Sequence, residues 1–157
     1  MVPERARRRL AVMALAAAGW LVGVGEPHAG RFPPSTQFAI HCQGCHGAAG
    51  EDVRGLVPPL AGSVGRFLAA PGGREFLVQV PGVAMTHLDD EDLAALLGWM
   101  LERFAADDRP PGFIPYSAAE VARLRRDPLI DVKGVRRKLV AHLEDERLPL
   151  PVRLDAD

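Results

Sequence analysis

Apolar positions repeat with helical spacing in the stretch from residue 89 to residue 104. The apolar side chains recur at offsets of 0, 3, 4, 7, 8 and 11, as Leu93, Leu96, Leu97, Met100, Leu101 and Phe104. This spacing places them on one face of a helix. The acidic residues 89–92 come just before them, where negative charge favours a helix N-terminus. The pattern predicts an amphipathic helix that covers a hydrophobic core.

The other patterns predict shorter helices joined by long loops. One helix is expected from Thr36 into residues 42–46, with Ser35 or Thr36 as N-cap. A Gly- and Pro-rich loop follows from residue 48 to residue 73, with a turn of helix at 64–69. A further helix is expected over residues 74–80, because proline and glycine come next. No alternating strand pattern precedes the cysteines, so we predict an all-α fold.

The composition changes after Phe104, which marks the expected end of the first domain. "AADDRPPGFIPY" is a Pro-rich linker, and Ser117 to Glu120 form a capping box that opens a new helix. Apolar residues then recur at helical spacing in a basic segment, at Val132, Val135, Leu139 and Leu143. We predict a domain at 30–108 and a linker with an amphipathic basic extension at 109–157. The extension either packs across the domain or docks on a redox partner or membrane surface.

The N-terminus has the layout of an export signal. Four arginines between residues 5 and 9 precede an apolar run from Leu10 to Gly25. A basic start, a short apolar stretch and then polar sequence are typical of secretory signal peptides. We assign residues 1–29 to a signal peptide and the protein to the periplasm, with an uncleaved membrane anchor as the alternative. The run is shorter than the ~20 residues of a spanning helix, which favours cleavage.

Length and charge narrow the classes of function. A chain of 157 residues accommodates one domain with additions. Its formal charge of −1 lacks the basic excess of nucleic-acid-binding proteins. We therefore expect no nucleic-acid partner.

Both cysteines of the chain lie in the sequence "HCQGCH". Cys-x-x-Cys-His is the attachment sequence of c-type haem. Cys42 and Cys45 lie on one side of a helical turn, where their sulfurs reach the two vinyl groups of one porphyrin edge, and His46 points at the iron. A thioredoxin-like redox pair would require an α/β pattern. A zinc site using His41 as fourth ligand would pack its ligands too closely for a tetrahedron.

These residues resemble the class I cytochrome c family, and the resemblance runs from about residue 35 to residue 104. Phe38 matches the aromatic residue of that family's N-terminal helix. The segment "PPLAG", which includes Pro59, resembles the loop whose backbone carbonyl holds the proximal histidine. Trp99 resembles an aromatic packed between the first and last helices or near a haem propionate, and a plain core or rim tryptophan is the alternative. The resemblance implies a small cytochrome c-like fold wrapped around one covalent haem c, and we expect these porphyrin contacts: Phe38, Leu60, Phe67, Leu77, Leu93 and Leu97.

The second axial ligand of the iron is predicted to be Met85, opposite His46. Met85 precedes the strongest predicted helix, which is where the family places its methionine. Thr86 follows it, where the family commonly has proline. His87 and a five-coordinate iron are the alternatives, and the choice of ligand separates electron transfer from small-molecule binding.

The resulting functional prediction is a periplasmic monohaem cytochrome c, an electron carrier more than a catalyst. It would take single electrons from an exported dehydrogenase or another donor. It would pass them to a terminal oxidase, another cytochrome or another acceptor. The alternatives are a five-coordinate haem sensor or peroxidase-like protein, and a permanent cytochrome subunit of a larger dehydrogenase.

Overall fold

The structure of the protein is a computed structural model that describes residues 32–53, 55, 57–146 and 148. Its regular secondary structure is helical. The predicted signal peptide lies outside these residues. The α-helices are α1 Pro34–His41, α2 Gln43–His46, α3 Gly73–Gln79, α4 Pro81–Ala84, α5 Asp90–Phe104, α6 Ala118–Leu124 and α7 Val132–Asp145, with a 3₁₀ helix at Val64–Ala69. The described residues contain no strand, which agrees with the predicted all-α class. Within them, no helix is both long and apolar enough to cross a bilayer.

The first helix begins earlier than the sequence pattern indicated. Pro33 occupies the N-cap position and Pro34 the first helical position. The prediction of Ser35 or Thr36 as N-cap was therefore wrong. Proline suits a first helical position because its fixed φ is already helical and its missing N–H would have no intrahelical acceptor.

Helix α5 forms the central support of the fold. It begins after Asp89, whose side chain accepts a hydrogen bond of 2.8 Å from the backbone N–H of Asp92. The six apolar residues of the predicted stripe are all buried. Helix α1 packs across α5, with the Phe38 ring 5.4 Å from the Trp99 ring and 5.2 Å from the Phe104 ring. The predicted amphipathic helix is thus confirmed.

The segment after the 3₁₀ helix turns back on it at very short range. A Cβ atom at Gly73 would lie 1.7 Å from the Phe67 carbonyl oxygen, so only glycine allows this approach. Helix α3 ends at Gln79, close to the predicted position. Pro81 then occupies the first position of the short helix α4. The sequence analysis had used this proline only as the end of the preceding helix.

The C-terminal segment packs on the rest of the chain. Helix α6 contacts α5 and α3, and α7 contacts α3 and the 3₁₀ helix. Ser117 accepts a hydrogen bond from the Glu120 N–H at 3.2 Å, as its capping role requires. The Glu120 carboxylate binds Arg74 at 2.5 Å and 2.7 Å. The Tyr116 hydroxyl donates to the Arg74 carbonyl at 2.8 Å. These bonds tie the extension to α3.

Candidate haem site

The attachment residues lie at the junction of α1 and α2. Cys42 separates the two helices, and Cys45 and His46 belong to α2. Gly47 ends α2 with a φ of 61°, a left-handed conformation that glycine adopts without a Cβ clash. Both cysteines are free thiols. The two sulfurs and the imidazole are therefore presented by a single turn of backbone.

These three residues line a cavity of about 340 Å³. Its volume falls in the range of roughly 300–1,000 Å³ that is typical of small-molecule and cofactor sites. The remaining lining is mainly apolar and comes from the loop before the 3₁₀ helix and from every later helix except α6: Val57, Pro58, Pro59, Leu60, Val64, Phe67, Phe76, Leu77, Val80, Pro81, Val83, Leu97, Met100 and Val132. An apolar ligand with a few polar groups fits such a surface.

The environment of the cysteines does not favour thiolate chemistry. Burial, together with the nearby Cys45 thiol, raises the pKa of Cys42 to about 11. Redox-active Cys-x-x-Cys pairs have a lowered thiol pKa, because the thiolate is the nucleophile. The thioredoxin-like alternative therefore lacks support here. In the described part of the chain, no group of three or more His, Cys, Asp and Glu side chains is placed to hold a metal ion.

Burial also acts on His46, the candidate axial ligand. Desolvation lowers the pKa of His46, while the Pro58 carbonyl and Asp52 act in the opposite direction. A neutral imidazole is the form that binds metal. Nδ1 of His46 is buried, and it forms no hydrogen bond of good geometry with the described residues. The Pro58 carbonyl thus acts on the ring as an electrostatic partner, at the loop where the resemblance predicted a carbonyl contact.

Two polar residues of the cavity were missed by the sequence reasoning. Ser63 is 1% exposed, and its Oγ has no hydrogen-bond partner among the described residues. Arg136 of α7 lies with its guanidinium 5.6 Å from the centre of the Phe67 ring, and burial lowers its pKa. A partly buried cation and a buried hydroxyl group suit the carboxylate substituents of a porphyrin. In the sequence, the one signal for this arginine was its spacing of four residues from Val132, which places it next to the apolar face of α7.

Comparison with known proteins gives the family. No family model matches the chain. The chain is similar to cytochrome c-552 of Thermus thermophilus, with 34% identity over 118 residues that cover 62% of this chain and 90% of the relative. A second cytochrome c-552, from a named strain of the same species, is likewise 34% identical over 118 residues, which cover 62% of this chain and 80% of that protein. The chain belongs to the class I c-type cytochromes.

The cytochrome is accordingly a monohaem electron carrier with a covalently bound haem c. The residues of its cavity fit that cofactor. The attachment thiols and a histidine share the cavity with apolar side chains, and the cation Arg136, whose charge suits the propionates, is also among the lining residues. Four of the expected porphyrin contacts line the cavity, namely Leu60, Phe67, Leu77 and Leu97, as does Pro59.

Three predicted haem contacts of this cytochrome lie away from the cavity lining. Phe38 packs between Trp99 and Phe104 in the interface of α1 and α5. Leu93 is buried elsewhere in the same core. Met85 is 69% exposed and follows the cavity-lining residues of α4. The structure thus brings together the attachment motif and Pro59, and it leaves Met85 beside the cavity.

Proposed function

We propose that this cytochrome carries single electrons in the periplasm, from an exported dehydrogenase or another donor to a terminal oxidase, another cytochrome or another acceptor. The observation that supports this function is the shared cavity of Cys42, Cys45 and His46, enclosed by apolar side chains. Such a site binds a cofactor tightly and excludes water around it. Encounters with redox partners would use a small, transient interface, which is typical of electron-transfer pairs.

The proposed roles of the residues follow from their chemistry. Cys42 and Cys45 would hold haem c through two thioether bonds, and His46, with the Pro58–Pro59 loop against its ring, would bind the iron. Met85 would supply the second ligand of the iron. When bound, haem supplies an iron that gains and loses one electron. The apolar lining keeps water out, and Arg136 provides positive charge beside the cavity.

The proposed organisation of the chain keeps the boundaries inferred from the sequence. Residues 1–29 are a signal peptide, residues 30–108 form the haem domain, and residues 109–157 form the linker and extension. A membrane association would require retention of the first segment. The packing of α6 and α7 on the rest of the chain supports an internal role for the extension over attachment to a larger dehydrogenase.

The attachment is tested by acid-acetone extraction of the protein purified from a host that matures c-type cytochromes. A thioether-bound haem stays with the polypeptide. Complete extraction of the pigment, leaving a colourless chain, would overturn the proposed covalent site.

The second ligand is tested through the weak far-red charge-transfer band that oxidised methionine-ligated haem shows. Met85→Ala should abolish this band. Met100→Leu is the matched control, because Met100 is a buried methionine that lines the same cavity. Loss of the band in Met100→Leu with its retention in Met85→Ala would assign the ligand to Met100 instead.

A second candidate function is a five-coordinate haem protein that binds a small molecule. The placement of Met85 favours this candidate, since its side chain is 69% exposed and is not among the residues that line the cavity. Such a protein would lack the far-red band and would bind carbon monoxide in its reduced form without displacing a ligand. An electron carrier with two axial ligands would bind it slowly or not at all.

A further inference from the structure

Arg125, at the C-terminal end of α6, binds the backbone of the loop that carries Met85. Its Nε donates to the Ala84 carbonyl at 3.0 Å, and its Nη1 donates to the Leu88 carbonyl at 2.8 Å. Its Nη2 donates to the carbonyl of Thr86. One guanidinium therefore holds the carbonyls on both sides of Met85 and a third one beyond them.

Burial and a further contact hold this guanidinium in place. The Arg125 side chain is 17% exposed and also contacts the Asp90 carboxylate at 3.1 Å. Its backbone follows Val121 and Leu124, which are 0% and 3% exposed and fix α6 in the core. Arginine presents five donors in a planar fork, so several carbonyls can be bound with little further loss of side-chain freedom.

Among the residues that the structure describes, the loop's other hydrogen bonds are short-range. The Met85 N–H bonds to the Pro81 carbonyl, and the Thr86 N–H bonds to the Val83 carbonyl. The Leu88 N–H bonds to Thr86 Oγ1 at 3.1 Å. These bonds shape the turn but do not attach it to another part of the fold. Arg125 joins the loop to an element more than 35 residues away in the sequence.

We propose that Arg125 is a positioning residue, which fixes the backbone on both sides of Met85 in this closed position of the loop. The Met85 side chain, 69% exposed here, would then reach the iron by turning about its own bonds, without movement of the loop. This inference rests on the proposed role of Met85 as axial ligand. When the loop opens, the carbonyl bonds to Arg125 are broken. Arg125 thus lowers the population of the open state, in which methionine has left the iron and another ligand can bind.

The test is a titration of the oxidised holo-cytochrome with imidazole, followed through the far-red band. Imidazole binds after the loop opens, so its apparent affinity reports the open population. Arg125→Gln should raise this affinity roughly tenfold to hundredfold. The substitution removes bonds from a charged donor that exist only in the closed state, so it destabilises that state and leaves the open state unchanged. Arg125→Lys should give a smaller increase, since one ammonium group cannot match the fork.

Two control variants separate positioning from general stability. Arg126→Gln removes the same charge from the neighbouring, exposed arginine. Leu143→Val weakens the core at α7, where Leu143 is 0% exposed. Both should keep the imidazole affinity of the native protein. A merely structural role for Arg125 would instead make the affinity follow global stability, so that Leu143→Val shifted it as well.

The outcomes distinguish this inference from the proposed function. Loss of the band in Met85→Ala, tighter imidazole binding in Arg125→Gln and native affinity in Arg126→Gln and Leu143→Val together support the inference. Loss of the band in Met85→Ala with native affinity in both Arg125 variants overturns the inference and leaves the ligand assignment intact. Retention of the band in Met85→Ala overturns the assignment and the inference together.

Discussion

Replacement of Phe38 by alanine tests whether this side chain stabilises the interface of α1 and α5 without contacting the haem. The ring is 3% exposed and lies 5.4 Å from Trp99 and 5.2 Å from Phe104. Core Phe→Ala replacements cost about 3–5 kcal/mol. Each aromatic pair adds roughly 0.5–1.5 kcal/mol beyond burial, which places this site in the upper half of that range. We expect a loss of about 4–5 kcal/mol from a total stability of ~5–15 kcal/mol.

The assay is guanidinium denaturation of the oxidised holo-protein, followed by far-ultraviolet circular dichroism. Phe32→Ala is the matched control, because Phe32 is 58% exposed and should change stability by less than ~0.5 kcal/mol. The haem absorption spectrum of folded Phe38→Ala should equal that of the native protein. A destabilisation below about 1 kcal/mol would refute the packing argument. A displaced haem spectrum would show that Phe38 contacts the cofactor.

Two further predictions concern charged residues of the extension. Arg74 holds the pKa of Glu120 below its ordinary value of 4.5, so this contribution to stability is complete above that pH and disappears as the pH falls through the lowered folded-state pKa. The native protein should therefore lose stability on acidification more steeply than Glu120→Gln, and equal slopes in pH-dependent denaturation would contradict this. Arg136→Gln should lower the reduction potential by roughly tens of millivolts, because a partly buried cation favours the less positive, reduced haem. Redox titration measures this shift, and Arg137→Gln, at an exposed residue, is the control. An unchanged potential would show that the charge of Arg136 does not act on the haem.

Local patterns in the sequence predicted most of the helices. The apolar repeat of residues 93–104 and the acidic residues at the helix start depend on side chains within four positions of each other, and both are present in the fold. The role of Asp89 as the N-cap was seen only in the structure. The start of α1 was predicted two residues too late, because the serine and threonine were read as caps while Pro34 occupies the first helical position. The box at Ser117 and Glu120 was correct in its first half. The Glu120 carboxylate binds Arg74, since a cation is a better partner than a backbone amide.

The attachment motif could be identified from the sequence because all its chemistry lies within one helical turn. The spacing of Cys42, Cys45 and His46 determines which side of the turn they share, whatever surrounds it. The tertiary structure decided which distant residues meet this motif. Arg136 lines the cavity and Arg125 binds the Met85 loop only because α6 and α7 fold back across the core. Such contacts depend on the packing of several helices at once, and no short-range pattern of residue types records that packing.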